Sequence, residues 1–295
     1  MAGKTAFLFS GQGAQAPGMM KEFYDAVPEA RRVFDSASEV LGRDIARLCF
    51  EGTQEELNLT HNTQPCVLAA DLAAYEAVRA RGVEPDAMAG FSLGEYAALV
   101  AAGVLQMEDA FRIVQLRADA MQEAVPVGEG AMAAVMKVDG ERIQAICDAV
   151  DGYVVPANYN SPAQIVVSGE MAAVDAVMAV CKEQKIRAMK LPVSAPFHCA
   201  MMAPAAEEVR AALEGIEIGQ PRVPVYLNVN AEPLESGKEV AGWLVEQTKS
   251  PVLWRQTLEN MARDGMSTFV ECGPGATLSG FVKKTLSDAQ VLIFG

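Results

Sequence analysis

Two kinds of apolar pattern alternate along the chain. Short apolar runs at Thr5–Phe9 and Ala87–Gly90 are typical of buried strands, and a glycine-containing turn follows each of them. Longer segments in which apolar residues recur every three or four positions, such as Pro28–Leu41 and Gln64–Arg81, predict helices. We place the start of the second helix at Gln64 because Pro65 then lies in its first turn. Buried strands that alternate with helices favour an α/β fold with a parallel sheet covered on both faces.

Residues 127–196 show a different order of elements. The predicted elements there are, in order, strand Ala131–Val138, helix Glu141–Val150, strands Tyr153–Asn158 and Gln164–Ser168, helix Met171–Gln184 and strand Arg187–Val193. A βαββαβ order is that of a ferredoxin-like subdomain. We therefore predict a ferredoxin-like subdomain at 127–196, inserted into a larger α/β core that is formed by 1–126 and 197–295.

The α/β pattern returns after this segment. The predicted elements are helix Met202–Leu213, strand Val223–Val229, helix Glu239–Lys249, a helix that begins near Trp254, strand Thr268–Cys272 and strand Val291–Phe294. These elements supply the rest of the parallel-sheet core.

The composition is globular and acidic. Of the 295 residues, 51% are hydrophobic and 21% are charged, which is enough apolar material for a large core. The formal net charge of −14 makes nucleic acid and anionic membranes poor partners, and an acidic partner would need a local basic patch. No apolar run approaches the roughly 20 residues of a membrane span. Because the N-terminus also lacks the features of a signal peptide, we predict a cytoplasmic protein.

The cysteines and histidines do not form a metal-binding pattern. The six cysteines are scattered through apolar segments without a Cys-x-x-Cys pair, and the chain has only two histidines. We predict buried, reduced thiols and no metal site.

Gly90-Phe91-Ser92-Leu93-Gly94 matches the pattern G-x-S-x-G. Between a strand and a helix this pattern predicts a nucleophile elbow, a tight turn that exposes the serine hydroxyl. The N-terminus of the following helix favours negative charge near the serine. The pentapeptide alone is weak evidence, and its position between a strand and a helix is what makes Ser92 a candidate nucleophile.

A serine nucleophile needs a base, and the chain offers only His61 and His198. His198 lies in a junction between a strand and a helix and follows Ser92 in the chain order usual for such elbows. We therefore assign His198 as the base and interpret His61 as a capping or surface residue. No aspartate occupies a suitable position to orient His198, so the residues alone leave a third member unassigned.

The turn after the first strand is a candidate oxyanion site. Ser10 to Gly13 and the Ser92 turn follow strands of one parallel sheet, so both turns should lie at the same edge. Backbone N–H groups of Gln12 and Leu93 could then stabilise a developing oxyanion.

Arg117 lies at the edge of a buried helix face. In Glu108–Val125 it falls about 70° from the centre of the apolar stripe, whereas Arg112 points about 150° away and is solvated. An arginine at the border of a core needs an anionic partner. Helix geometry does not decide between a structural carboxylate and a substrate carboxylate.

Several of these segments together match a known pattern. The matching segments are Gly11-Gln12-Gly13-Ala14-Gln15, Gly90-Phe91-Ser92-Leu93-Gly94-Glu95-Tyr96, Arg117, Pro196-Phe197-His198 and Glu271-Cys272-Gly273-Pro274-Gly275. In these motifs and their spacing, the chain resembles the malonyl-CoA:acyl carrier protein transacylase family from about residue 5 to 286. The resemblance implies an α/β-hydrolase-like core with a ferredoxin-like insertion.

The resemblance also implies roles for single residues. Ser92 would be the nucleophile and His198 the base, while Arg117 would bind the malonyl carboxylate. The amides of Gln12 and Leu93 would form the oxyanion hole. The family orients its histidine with carbonyl oxygens, and the matching position is Gln247.

Two aromatic residues are expected to affect the shape and the selectivity of the acyl pocket. Phe91 stands where the family often has histidine, which affects the shape of the acyl pocket rather than the nucleophile or the base. Phe197 resembles the malonyl-selecting members of related polyketide acyltransferases and indicates a small unbranched acyl group.

The predicted activity is transfer of a malonyl group from malonyl-CoA to the phosphopantetheine thiol of acyl carrier protein, for fatty acid biosynthesis. It needs no cofactor, since the CoA thioester is a substrate, and we expect a monomer. The acidic carrier protein would dock on a basic patch. The candidate patches are Lys182, Lys185, Arg187 and Lys190, or Lys283 and Lys284. The alternatives are a trans-acting polyketide synthase malonyltransferase, a serine esterase or thioesterase, and a non-catalytic module that binds carrier protein.

Overall fold

The computed structural model describes residues 3–193 and 195–295. Within these ranges the strands are β1 Lys4–Phe9, β2 Ala87–Gly90, β3 Gly130–Met136, β4 Val154–Ser161, β5 Gln164–Glu170, β6 Ala188–Lys190, β7 Val225–Tyr226, β8 Met266–Cys272 and β9 Gln290–Phe294. The α-helices there are α1 Lys21–Ala26, α2 Pro28–Leu41, α3 Ile45–Glu51, α4 Gln54–Leu57, α5 Thr60–Arg79, α6 Gly94–Ala101, α7 Met107–Glu123, α8 Gly140–Asp148, α9 Met171–Glu183, α10 Ala203–Leu213, α11 Val240–Lys249, α12 Trp254–Arg263 and α13 Thr277–Thr285. Single 3₁₀ turns precede α10 and α11, at Ala200–Met202 and Gly237–Glu239. None of these helices is both long enough and apolar enough to cross a membrane.

The core is a five-stranded parallel sheet in the order β7-β2-β1-β8-β9. Side chains of β1 alternate between its faces: Phe7 and Phe9 pack into one apolar cluster, Ala6 and Leu8 into another. The first cluster includes residues of α2, α5, α6, α7, α10 and α11, and the second includes residues of α12 and α13. The prediction of a parallel sheet covered on both faces is confirmed.

The second sheet is antiparallel, in the order β4-β5-β3-β6. With α8 after β3 and α9 after β5, this is the βαββαβ topology predicted for a ferredoxin-like subdomain. One face of β3 packs on α8 and α9, and the other, with Met132 and Ala134, faces Met121 of α7 and Phe197. All four strands of this sheet lie within the predicted subdomain, residues 127–196. The exact boundaries between this subdomain and the core stay a prediction.

Helix α5 begins earlier than predicted. It starts at Thr60 rather than Gln64, and Pro65 lies inside it. Proline has no N–H to donate to the carbonyl four residues back, which is that of His61. Arg43 Nη2 and Gln115 Nε2 donate to this carbonyl at 3.0 and 3.3 Å. Tertiary contacts thus satisfy the group that proline leaves free. His61 is half-buried in the first turn without a side-chain capping bond, so the capping interpretation is wrong.

Candidate active site

A pocket of about 260 Å³ lies between the carboxyl edge of the parallel sheet and the antiparallel sheet. Five sequence-predicted residues line it: Gln12, Ser92, Leu93, Arg117 and His198. Parallel strands direct the turns that follow them to one edge, and ligands bind there in open α/β sheets. The Phe91 N–H donates to Phe9 O at 3.0 Å, so the Ser10 and Ser92 turns are neighbours as predicted.

The turn at Ser92 depends on the glycines on either side of the serine. A Cβ on Gly90 would collide with the backbone of Gly94, and one on Gly94 with the carbonyls of Phe9 and Ser10. Ser92 itself has φ of 54°, a left-handed conformation that is strained for a residue with a side chain. Strand β2, this turn and α6 form a nucleophile elbow in geometry.

Asn228, which the sequence reasoning did not single out, holds this strained turn. Its Oδ1 accepts from the Ser92 N–H at 2.6 Å, and its Nδ2 donates to Gly90 O at 2.7 Å. Its own N–H donates to Glu95 Oε2 at 2.6 Å. Asn228 is fully buried just after β7, at the same sheet edge as Ser92. The signal that the sequence reasoning missed is a polar residue two positions after the end of a core strand.

Ser92 and His198 are hydrogen-bonded, with 2.7 Å between Ser92 Oγ and His198 Nε2. The other ring nitrogen, Nδ1, lies 3.0 Å from the main-chain oxygen of Gln247. A carbonyl only accepts, so Nδ1 holds the proton and Nε2 is free to accept the one on Ser92. The geometry is that of a nucleophile and its base, oriented by a carbonyl instead of a carboxylate.

Gln247 contacts all three predicted polar groups of the site. Besides its main-chain bond to His198, its side-chain Nε2 donates to Ser92 O at 2.8 Å. Its Oε1 accepts from Arg117 Nη2 at 3.1 Å. The fully buried Gln247 therefore ties the nucleophile turn, the histidine and the arginine together from α11.

His198 is neutral over the physiological pH range. Burial, and then the positive charge of Arg117, lower the pKa of its imidazole to about 4. The group stays deprotonated, and so able to act as a base, down to about that pH. We expect the labelling rate of Ser92 by an uncharged sulfonyl fluoride to stay flat from pH 8 to 5 and to fall only near pH 4. An uncharged reagent is needed because a substrate carboxylate would titrate in the same range. A midpoint near 6.5, the ordinary histidine value, would contradict this environment.

The two predicted oxyanion donors are backbone N–H groups of residues that line the pocket. In the described part of the chain, neither the Gln12 N–H nor the Leu93 N–H donates to a protein acceptor. Leu93 directly precedes α6, whose N-terminus adds a favourable field for negative charge. Because both residues line the same pocket as Ser92, their N–H groups are candidates for stabilising an oxyanion.

Arg117 is buried without an anionic partner. It is 1% exposed, and its hydrogen bonds go to neutral oxygens, among them Gln64 Oε1 at 2.7 Å and Ser92 Oγ at 3.2 Å. Among residues 3–193 and 195–295, no carboxylate is in salt-bridge contact with it. Burial raises the pKa of nearby Glu95 to about 8, so that carboxyl is mostly uncharged at neutral pH. The uncompensated cation favours an anionic ligand over a structural carboxylate.

The two aromatic residues flagged in the sequence shape the pocket. The Phe91 ring packs on Trp254 and Phe281 with centroid separations of 5.4 and 6.2 Å. Phe197 lines the pocket beside His198 and is 7% exposed. The apolar Phe91 therefore belongs to an aromatic wall that it shares with α12 and α13.

Across the described ranges, no group of three or more His, Cys, Asp or Glu side chains is placed to hold a metal ion. The six cysteines are buried and unpaired.

Comparisons with known proteins agree with this geometry. The protein-family model described as the acyl transferase domain matches residues 6–292 of this chain. The malonyl CoA-acyl carrier protein transacylases of Bacillus subtilis and Escherichia coli K12 are 45% and 44% identical over 95% of this chain, covering 90% and 92% of their own lengths. The solved transacylase of Coxiella burnetii has a TM-score of 0.96 at 40% identity, covering 99% of this chain and 94% of its own. A malonyl-transacylase solved with the acyl-carrier protein of a type II polyketide synthase has a TM-score of 0.95 at 41% identity, covering 98% and 95%.

Proposed function

Because the chain belongs to the acyl transferase family, and its near-full-length relatives are malonyl CoA-acyl carrier protein transacylases, we propose that it transfers malonyl from malonyl-CoA to the phosphopantetheine thiol of acyl carrier protein. One observation supports this most strongly. The Ser92–His198 hydrogen bond of 2.7 Å lies beside a buried Arg117, to which no carboxylate of residues 3–193 and 195–295 is salt-bridged. A nucleophile next to an unpaired cation suits an acyl group that bears a carboxylate.

The first half-reaction forms a malonyl-enzyme. Ser92 Oγ attacks the thioester carbonyl as His198 Nε2 takes its proton, and the N–H groups of Gln12 and Leu93 donate to the oxyanion. The tetrahedral intermediate collapses, the C–S bond breaks and the CoA thiolate takes the proton from His198. Arg117 holds the malonyl carboxylate throughout.

The second half-reaction reverses these steps with a different thiol. The phosphopantetheine thiol gives its proton to His198, its sulfur attacks the Ser92 ester, and the proton returns to Ser92 Oγ as the C–O bond breaks. The reaction needs no metal or redox group, so we propose that no cofactor is used. Ser92, His198 and Arg117 come from one chain, which supports a monomer as the working unit.

The site speaks against the hydrolase alternative. A serine esterase of the usual kind has a carboxylate behind its histidine, whereas His198 Nδ1 bonds to a main-chain carbonyl. The similar solved structures include a malonyl-transacylase in complex with the acyl-carrier protein of a type II polyketide synthase, so a polyketide pathway is the alternative to a fatty acid role. We propose that the protein serves the fatty acid pathway. We also propose a cytoplasmic location, and the buried, unpaired cysteines support that location.

Two exposed basic groups flank the pocket and are the proposed docking surface for carrier protein. Lys283 and Lys284 lie in the last turn of α13, whose Leu278 and Phe281 line the pocket. The other group is beside β6, whose Met189 also lines it. In that group Lys190 already pairs with Asp175 at 2.7 Å. Lys182, Lys185 and Arg187 form no salt bridge within residues 3–193 and 195–295.

Malonyl transfer to holo carrier protein and to free pantetheine should differ in salt dependence. Between 0.05 and 0.5 M salt, kcat/KM for carrier protein should fall roughly fivefold, because steering between exposed charges is screened. The rate with pantetheine, a small neutral thiol, should change little. Lys283→Glu with Lys284→Glu should lower only the carrier-protein rate, and Lys238→Glu, an exposed site outside the pocket, serves as control. Equal salt effects on both acceptors would contradict basic-patch docking, and no transfer to either would contradict the function.

A further inference from the structure

Strand β1 is followed by a buried serine that is bonded to a distant acidic residue. Ser10 is 1% exposed, and its Oγ donates to Oδ1 of Asp71 at 2.5 Å. Asp71 is fully buried in the middle of α5. The two residues are 61 positions apart in the chain. Their hydrogen bond therefore fastens the beginning of the Ser10 to Gly13 turn to a helix of the core.

Asp71 is an acid without a cation. Its second oxygen, Oδ2, is buried without a hydrogen bond in the described structure. No lysine, arginine or histidine of residues 3–193 and 195–295 is salt-bridged to it. Burial raises the pKa of its carboxyl well above the ordinary value; the bond from Ser10 opposes this rise, and the neighbouring Glu271 adds to it. Such a group is costly to bury, and residues that cost stability gather at functional sites.

The motif Glu271-Cys272-Gly273-Pro274-Gly275 encloses this pair. Gly273 directly follows β8 and has φ of 137°, a conformation that favours glycine. A Cβ at this position would collide with Asp71 Oδ1 and Ser10 Oγ. The backbone at Gly273 therefore packs on the Ser10–Asp71 bond and leaves the two side chains little freedom to shift.

The turn that begins at Ser10 also contains one of the two proposed oxyanion donors, the N–H of Gln12. Both residues line the pocket at Ser92. A donor stabilises an oxyanion well only when it is held in place before the charge develops. The Gln12 side chain is a weak anchor, since its Nε2 reaches Thr60 Oγ1 only at 3.4 Å. The shorter bond from Ser10 to a core helix can hold the turn.

We propose that Asp71 is a positioning residue, which acts through Ser10 to hold the Gln12 N–H in place for the oxyanion. The inference rests on the proposed function, in which a thioester carbonyl becomes an oxyanion at Ser92. An uncharged hydrogen-bonding partner suits this place, because a carboxylate charge would repel the developing oxyanion. An amide at position 71 should therefore replace the acid, whereas an apolar side chain should not.

The test measures the first half-reaction alone, as the rate at which malonyl-CoA adds malonyl to the protein, by quenched flow and intact mass. Asp71→Ala should lower this rate at saturating malonyl-CoA roughly tenfold, part of the loss of about 10²–10³-fold that follows removal of an oxyanion donor. The half-saturating concentration should change less than about twofold, because the donor acts on the transition state. Asp71→Asn keeps the size and the hydrogen bond, and should stay within about threefold of wild type.

Ser10→Ala breaks the same bond from the side of the turn and should give the same loss as Asp71→Ala. The double variant should be no slower than either single variant, because both changes act through one contact. Val78→Ala is the matched control, since Val78 is fully buried about two turns further along α5. It should lower the thermal stability and leave the acylation rate unchanged.

Additive losses in the double variant, or a wild-type rate in Ser10→Ala, would overturn the positioning role. An Asp71→Asn variant as slow as Asp71→Ala would also overturn it. Should Asp71→Ala not fold, Ser10→Ala and Asp71→Asn still give both comparisons with wild type. If wild type gains no malonyl at Ser92, the proposed function fails; if it gains malonyl and these variants acylate at the wild-type rate, only this inference fails.

Discussion

Ser92→Ala protein incubated with malonyl-CoA is expected to keep its unmodified mass, while the wild-type chain gains the mass of one malonyl group. The Ser92 hydroxyl is placed to form an ester, because its Oγ lies 2.7 Å from an unprotonated His198 Nε2. Its removal leaves the oxyanion donors and Arg117 but no bond to the acyl group. Transfer to carrier protein should fall by about four orders of magnitude, the usual cost of losing a serine nucleophile.

Intact-mass spectrometry after a brief incubation measures this directly. Ser92→Ala should fold normally, because the Asn228 contact that holds the turn uses the Ser92 backbone N–H. A surface serine, changed in Ser287→Ala, is the matched control and should form the adduct at the wild-type rate. An adduct that persists on Ser92→Ala would place the acyl group on another residue. No adduct on wild type would favour the binding-module interpretation.

The candidate nucleophile and the candidate base could be chosen because the sequence offers few alternatives. A G-x-S-x-G segment between a strand and a helix specifies one serine, and two histidines leave little ambiguity about the base. Arg117 followed from helix periodicity, and its environment supports the substrate carboxylate over the structural one. The structure brings these three residues together in one pocket, and each of them had been singled out from a local pattern.

Contacts between distant segments were harder to predict. Gln247 orients His198 through a main-chain oxygen, which every residue possesses, so only the family resemblance pointed to it. Asn228 was missed because we expected strand Val223–Val229 to run through it, whereas β7 covers only Val225–Tyr226. The turn that follows so short a strand is set by the Glu95 and Gly90 contacts, which no sequence pattern reveals.

Short helices were missed for a different reason. Helices α3 and α4 have seven and four residues, too few for a helical period to stand out. A local signal was nevertheless present before α4, where Thr53 and Glu56 form a capping box. Capping residues can reveal a helix whose length hides its periodicity.

Arg117→Ala is expected to reverse the acyl preference of the protein. The malonyl adduct should be lost, because the carboxylate would enter a buried site without its cation. A buried charge-assisted pair is worth about 3–4 kcal/mol, so kcat/KM for malonyl-CoA should drop roughly 10²–10³-fold. Acetyl-CoA has no carboxylate to lose contact with, and should acylate Ser92 at least as well as in wild type.

A competition between malonyl-CoA and acetyl-CoA, read by intact mass, gives the ratio of the two adducts. Arg112→Ala is the matched control on the same helix, since Arg112 is exposed and pairs with Asp109 at 2.8 Å. It should leave the ratio unchanged. Equal losses of both adducts in Arg117→Ala would mean that Arg117 only positions Ser92 and Gln247, whose oxygens it also contacts.

Arg117→Lys should resemble the alanine variant more than wild type. The guanidinium donates to Gln64 Oε1 through Nη1 and to Ser92 Oγ and Gln247 Oε1 through Nη2. Its planar fork can meet both carboxylate oxygens at once, whereas an ammonium is a single point charge on a flexible stem. Lysine would keep the charge and lose the bidentate geometry. Full malonyl preference in Arg117→Lys would show that charge alone selects the acyl group.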